Sequence, residues 1–128
     1  MEIDMPLVRP SDAVRHELHG ATFTSYAAPS LGSQQLCAWR LDVPAGVTGV
    51  AHRIGREEVF LVLDGHPVIT LDAEPHQLAP GDVLVAPPNS TLQLDTPEPT
   101  PAAIWVTTTV GFHAVLPDNS RISPPWVR

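Results

Sequence analysis

The stretch "GVAHRIGREEVFLVLDG", residues 49–65, reads as a hairpin built around two polar side chains: His52 before a turn, and Glu58 at the head of an alternating apolar run that Gly65 closes. Alternate residues of a strand face the same side. His52 therefore shares its face with Ile54, and Glu58 shares its face with Phe60 and Val62. A histidine and a carboxylate aimed into one interior are metal-ligand chemistry, yet Ile54 stands where a second imidazole would be expected. The segment is a metal site, the remnant of one, or a strand pair that carries a histidine and a glutamate. The rest of the chain has to decide.

Working outward from the hairpin, apolar residues keep alternating rather than recurring at helical spacing, and proline and glycine cut them into short segments. Residues 22–28, 35–43, 57–65, 67–72, 81–87, 91–95 and 102–110 all read as strands, separated by turns such as "VPAG", "DAEP" and "APPNS". Only "SDAVRHEL", residues 11–18, has the pattern of a turn or two of helix, with Ser11 as its cap. The fold class is all-β in one domain. Residues 1–20 read as an amino-terminal arm, 21–116 as the body, and 117–128 as a proline-rich tail that can join a sheet only at an edge.

Composition narrows the function. The 128 residues fit one core, and the single cysteine, Cys37, rules out an intrachain disulfide or a zinc site of paired cysteines, which favours a reducing cytoplasm. The opening "MEIDMPLVRP" lacks the basic start and apolar run of a secretory leader, and no stretch approaches membrane-spanning length. The net charge of −7 and the scattered arginines argue against nucleic acid as a partner. The chain contains no lysine, which removes Schiff-base and pyridoxal-phosphate chemistry.

Two motifs then give the pattern a family. Gly46, His52, Glu58 and Gly65 fall at the spacing G, five residues, H-x-H, three or four residues, E, six residues, G. Gly81, Asp82 and Pro87 open a second pattern, G, five residues, P-x-G, two residues, H, three residues, N, in which Asn89, Leu92 and Thr96 replace the glycine, the histidine and the asparagine. On these motifs the chain resembles the cupins, across roughly residues 35–110. The resemblance implies a double-stranded β-helix, or jelly-roll, barrel over residues 21–116. It also implies an inward face on which three histidines and a glutamate would collect one divalent ion.

Of that ligand set this chain keeps His52 and Glu58 and places Ile54 and Leu92 at the other two positions. Two protein ligands are fewer than zinc, iron or manganese sites use, so the expectation is no metal and no cofactor, with a weakly bound Zn, Mn, Fe or Ni as the alternative. Among the remaining histidines, His113 is the best outside candidate for a rescued site, because it follows the last long strand after Gly111. His16, His19, His66 and His76 fall in the arm, in turns or in a polar connection.

Two readings of His52 and Glu58 stay open. They satisfy each other's hydrogen bonds as a buried pair, or they form a proton-transfer dyad in a mostly apolar cavity. Cys37, Trp39, Ile54, Phe60, Val62, Leu92 and Leu94 are the residues expected around that cavity. Two functions follow as expectations. One is a barrel that binds a small organic molecule; the other is an enzyme of isomerase, cyclase, lyase or dioxygenase type using the pair or a weakly held metal. A homodimer is also expected, since the arm and the apolar strand "TFTSY" would otherwise leave an open edge.

Overall fold

Residues 6–128 of the computed structural model are described, and they carry twelve β-strands in two six-stranded antiparallel sheets. In chain order these are β1 (Val14–Leu18), β2 (Ala21–Ala27), β3 (Leu36–Val43), β4 (His52–Ile54), β5 (Glu58–Asp64) and β6 (Val68–Leu71), followed by β7 (Glu74–Gln77), β8 (Val83–Ala86), β9 (Thr91–Asp95), β10 (Ala102–Thr109), β11 (Ala114–Val115) and β12 (Arg121–Ile122). One sheet runs β1-β2-β3-β10-β5-β8 and the other β12-β11-β4-β9-β6-β7. From β3 to β11 the chain crosses repeatedly between the sheets, with only the β6–β7 hairpin staying in one, as in a jelly roll. The expected all-β cupin barrel is the fold that forms.

Side-chain alternation sets which face closes on the interior. In β3, Cys37, Trp39, Leu41 and Val43 are buried while Leu36 and Arg40 face out. In β5, Glu58, Phe60 and Val62 point inward in the same way. Register aligns these strands into inward rows. One row runs through Leu84, Phe60, Val106 and Trp39, and on the opposite sheet His52 stands directly across from Leu92. Ile54, Ile69, Ile104, Val62 and Val106 are the largest aliphatic side chains taken fully out of water. Each contributes roughly 1.5–3 kcal/mol of burial.

The turns obey local backbone chemistry. Asn89 stands at the second motif's glycine position and adopts φ +70°, a left-handed conformation that glycine adopts freely and asparagine tolerates. Thr96, at the asparagine position, is buried. Its hydroxyl donates to the carbonyl of Pro44 at 2.6 Å and accepts from the Val47 amide at 3.2 Å, which pins the loop leading into β4.

Three expectations need correction. Residues 11–18 do not form a helix: Asp12 caps a turn by accepting the Arg9 amide at 3.0 Å, and Val14–Leu18 then pair in register with β2. Eight residues are too few to stabilise a helix alone, whereas pairing satisfies the backbone of β2, whose edge would otherwise stay open. The arm therefore belongs to the sheet from Val14 onward, and "TFTSY" is not an open edge; residues 1–5 lie outside the described residues. Finally, the tail joins the core as well as an edge. Arg121–Ile122 pair with β11, and beyond them Trp126 and Val127 are buried, Trp126 stacking on Phe23 with ring centroids 3.7 Å apart and planes 8° from parallel.

Candidate functional site

The inward faces of the two sheets do not meet everywhere. Between them lies a cavity of about 210 Å³ whose walls are overwhelmingly hydrocarbon. A dry apolar cavity of about 150 Å³ accommodates benzene, so the space suits a one- or two-ring organic molecule. Phe23, Trp39, Phe60 and Val106 contribute from one sheet and Ile69, Leu92 and Leu94 from the other, and Phe112 and Trp126 line the space as well.

Among the described residues, three lining side chains carry titratable groups: Glu58, His52 and His19. Glu58 heads β5 opposite Ala86, and its carboxyl is buried with no hydrogen-bond donor among the described residues. Desolvation disfavours the charged form, and burial pushes this carboxyl from the ordinary 4.5 up to about 8. At neutral pH Glu58 is therefore mostly a neutral acid with a proton to donate.

His52 differs. It is partly exposed at the start of β4, and its Nδ1 lies 2.9 Å from the carbonyl oxygen of Val50. A carbonyl only accepts, so Nδ1 carries the hydrogen, and in the neutral ring Nε2 is left as an acceptor. Among the described residues Arg40–Asp42 is the only salt bridge, on the surface, and no hydrogen bond joins His52 to Glu58. Of the two readings left open by the sequence, the mutually satisfied pair is not the arrangement that forms. Both side chains line one cavity, but the Val50 carbonyl, two residues from His52, engages the imidazole instead.

The other candidates divide. Trp39, Phe60, Leu92 and Leu94 line the cavity with His52 and Glu58. Cys37, Ile54 and Val62 do not; they are fully buried in the packing behind the wall. The Cys37 thiol donates to the carbonyl of Val127 at 3.6 Å, and burial raises its pKa, as expected of a packed thiol rather than a nucleophile. His113 packs over Gly55 and accepts at Nδ1 from Arg121 at 3.1 Å, away from the cavity. Trp39 Nε1 is buried without an acceptor among the described residues.

Sequence reasoning missed Phe23, Ile69, Phe112 and Trp126 as wall residues, and His19, which reaches the cavity from the β1–β2 turn. The positive φ of His19 and Gly20 makes that turn tight. Gly20, directly after His19 and ahead of the alternating run from Ala21, is a turn signal that was available.

A divalent metal does not fit this donor set. Ile54 and Leu92 are buried aliphatic side chains, and among the described residues no three His, Cys, Asp or Glu side chains gather as a metal-binding group. Two donors fall short of the three or four that hold such ions.

With the barrel and its interior defined, the class is clear: a small jelly-roll domain with one internal apolar cavity. The profile of the cupin domain family matches residues 39–108, more than half the chain, and the protein belongs to that family. No curated protein matches the sequence. Among solved structures, the polyketide cyclase RemF from Streptomyces resistomycificus superposes with a TM-score of 0.74 at 15% identity, covering 82% of this chain and 79% of that one. A sugar phosphate isomerase of the cupin superfamily from Silicibacter pomeroyi gives 0.71 at 18%, covering 88% and 82%. A salicylate 1,2-dioxygenase from Pseudaminobacter salicylatoxidans gives 0.68 at 17%, covering 79% of this chain and 31% of that one. At these identities the likeness shows the fold, which hosts many activities.

Proposed function

We propose that this cupin binds a small, largely apolar organic molecule inside its barrel, on a metal site that is degenerate. The observation carrying this reading is the aromatic and aliphatic cavity of about 210 Å³ with one buried, partnerless carboxyl at its wall. Pockets of this composition, with a few convergent polar groups, are what small-molecule sites look like. Native mass spectrometry of the gently purified protein tests it: an organic molecule retained at about one per chain is expected. Stoichiometric divalent metal held by His52 and Glu58 would contradict it.

A second reading, turnover, is favoured by one observation: His52 and Glu58 face one cavity without neutralising each other. A neutral Glu58 is a general acid and the Nε2 of His52 a general base. Together they suit isomerisation, dehydration or cyclisation of a bound molecule, and structural neighbours named as a cyclase and an isomerase are compatible with that class. Under this reading, His52→Gln and Glu58→Gln abolish turnover while leaving binding within a few-fold.

The homodimer is proposed on a different surface from the one the sequence pointed to. Outward positions of β5, β8 and β10 place Val59, Leu61, Leu63, Val83, Val85 and Trp105 side by side, with Val83 and Val85 56% and 52% exposed. No charged residue occupies an outward position of this patch, on a chain whose net charge of −7 otherwise repels a second copy, and β8 ends its sheet with an unpaired edge. Light scattering should report a dimer that the double change Val83→Arg and Val85→Arg converts to a folded monomer. A wild-type monomer at micromolar concentration would remove the proposal. A cytoplasmic location and the absence of nucleic-acid partners are proposed on the lone cysteine and the acidic charge; among the described residues no helix is long and apolar enough to cross a membrane.

A further inference from the structure

The hydrocarbon lining of the cavity does not end inside the barrel. Leu18, at the close of β1, and Val50, ahead of β4, both border the space yet are 40% and 43% exposed, so the cavity opens to water between the β1–β2 turn and the loop into β4. Val47, Leu116 and Ile122 line the same space and are half-buried. These five aliphatic side chains form a rim that carries the apolar wall outward, beside His19 and His52. Deeper in, Trp39, Phe60, Ile69 and Leu92 are buried.

Apolar surface left in water forgoes the gain of burial, and a contiguous exposed patch of it marks a place where something binds. The outward patch on β5, β8 and β10 is a different surface, since its side chains point away from the interior that Leu18 and Val50 border. Because the rim is continuous with the cavity, one molecule lying in both covers both. Size sets how far that molecule extends. A dry space of about 150 Å³ suits benzene, so about 210 Å³ is filled by one ring and about two further carbons. A guest of that size leaves the rim wet.

We infer that the ligand is elongate: a ring held among Trp39, Phe60 and Trp126, and an aliphatic chain that runs out between Leu18 and Val50. This inference rests on the binding reading above and sharpens it from a small apolar molecule to one whose hydrocarbon chain outreaches the cavity. Recognition of the chain comes from its carbons, one methylene at a time.

Three probes that differ only in chain length test the inference: phenylethanol, phenylbutanol and phenylhexanol, each with its hydroxyl at the chain end. Trp39 and Trp126 line the cavity and report binding by fluorescence, and ligand-observed NMR provides a second readout. A fully buried methylene tightens binding about fourfold, and one covered on a single side about twofold. Phenylbutanol should therefore bind roughly tenfold tighter than phenylethanol, and phenylhexanol roughly fourfold tighter again, because the rim takes the last carbons. Phenylhexanol binding no tighter than phenylbutanol would overturn the inference while leaving the cavity as a site for short guests. Failure of all three probes up to their solubility limits would overturn the binding reading, and the elongate ligand with it. Leu18→Ser with Val50→Ser strips the rim at two surface positions and should bring the affinities of phenylhexanol and phenylbutanol together. A folded double variant that keeps the wild-type ratio between them would overturn the inference. If a second copy of this chain covers the rim instead, the double variant changes the mass seen by light scattering and the two longer probes bind alike in wild type, which also overturns it.

Discussion

The two walls that carry the retained polar residues are built on opposite principles. On the β5 side, Glu58 is buried opposite Ala86 and lines the cavity, and its proton affinity is raised by burial. On the β4 side, His52 is partly exposed, and its orientation is set by one backbone carbonyl, that of Val50. One of the two groups is thus tuned by desolvation and the other positioned by the main chain. A ligand set needs both groups converging on one point. Here Leu92 stands directly across from His52, and Ile54 is fully buried in the core, so neither position adds a donor to the pair.

The β5 side should give the largest effect. The folded carboxyl holds its proton to about pH 8 while the unfolded one releases it near 4.5. Between those values the native state binds more protons, so the stability that Glu58 contributes is fully present below about pH 4.5 and is lost as pH rises through about 8. A shift of that size corresponds to roughly 3–5 kcal/mol. Urea denaturation of wild type and Glu58→Gln across this range should show the wild-type curve falling relative to the variant by about that amount.

Trp126→Ala asks what keeps the β5 wall dry. Removing the ring deletes the stack on Phe23 and should cost about 3–4 kcal/mol. It should also let water reach Glu58, so that the pH-dependent fall shrinks and shifts toward the ordinary carboxylate range. Loss of stability with the pH dependence unchanged would mean that the wall, not the tail, excludes water.

Rebuilding the β4 side is the next smaller effect. Ile54→His with Leu92→His should create a four-donor set with His52 and Glu58, lower the stability of the metal-free protein, and bind about one divalent ion. An ion at a hundred times its dissociation constant adds about 2.7 kcal/mol, readable as a rise in Tm absent from wild type. A folded double mutant indifferent to zinc, manganese, iron and nickel would mean that the two motifs no longer converge. The smallest effect concerns register. Asn89→Val places a β-branched residue at φ +70° and should cost about 1–2 kcal/mol, whereas Asn89→Gly should be neutral or slightly stabilising.

The barrel was legible because its signal is local. Alternation in β3, β5 and β10 has period two, and the motif glycines fall where the chain turns with positive φ, as at Gly46, Gly65 and Gly81. The cavity was legible in half. Trp39, Phe60, Leu92 and Leu94 follow from strand phase, but phase cannot separate a wall residue from one packed behind it, which is why Cys37, Ile54 and Val62 share the inward phase yet lie behind the cavity wall. Trp126 was illegible because its partner, Phe23, lies at the other end of the chain, and a proline-broken tail gives no periodicity to read. The strand at Val14–Leu18 was missed because its pairing energy resides in β2, not in its own residues.

The account turns on a neutral carboxyl inside an apolar barrel. Carbon-13 NMR of the Glu58 carboxyl, assigned by its loss in Glu58→Gln, measures that state directly as pH is raised. A midpoint near 8 is expected, with the signal at its protonated position at neutral pH. A midpoint near 4.5, the ordinary value, would show the group solvated or ion-paired and would contradict the burial that defines this side of the cavity.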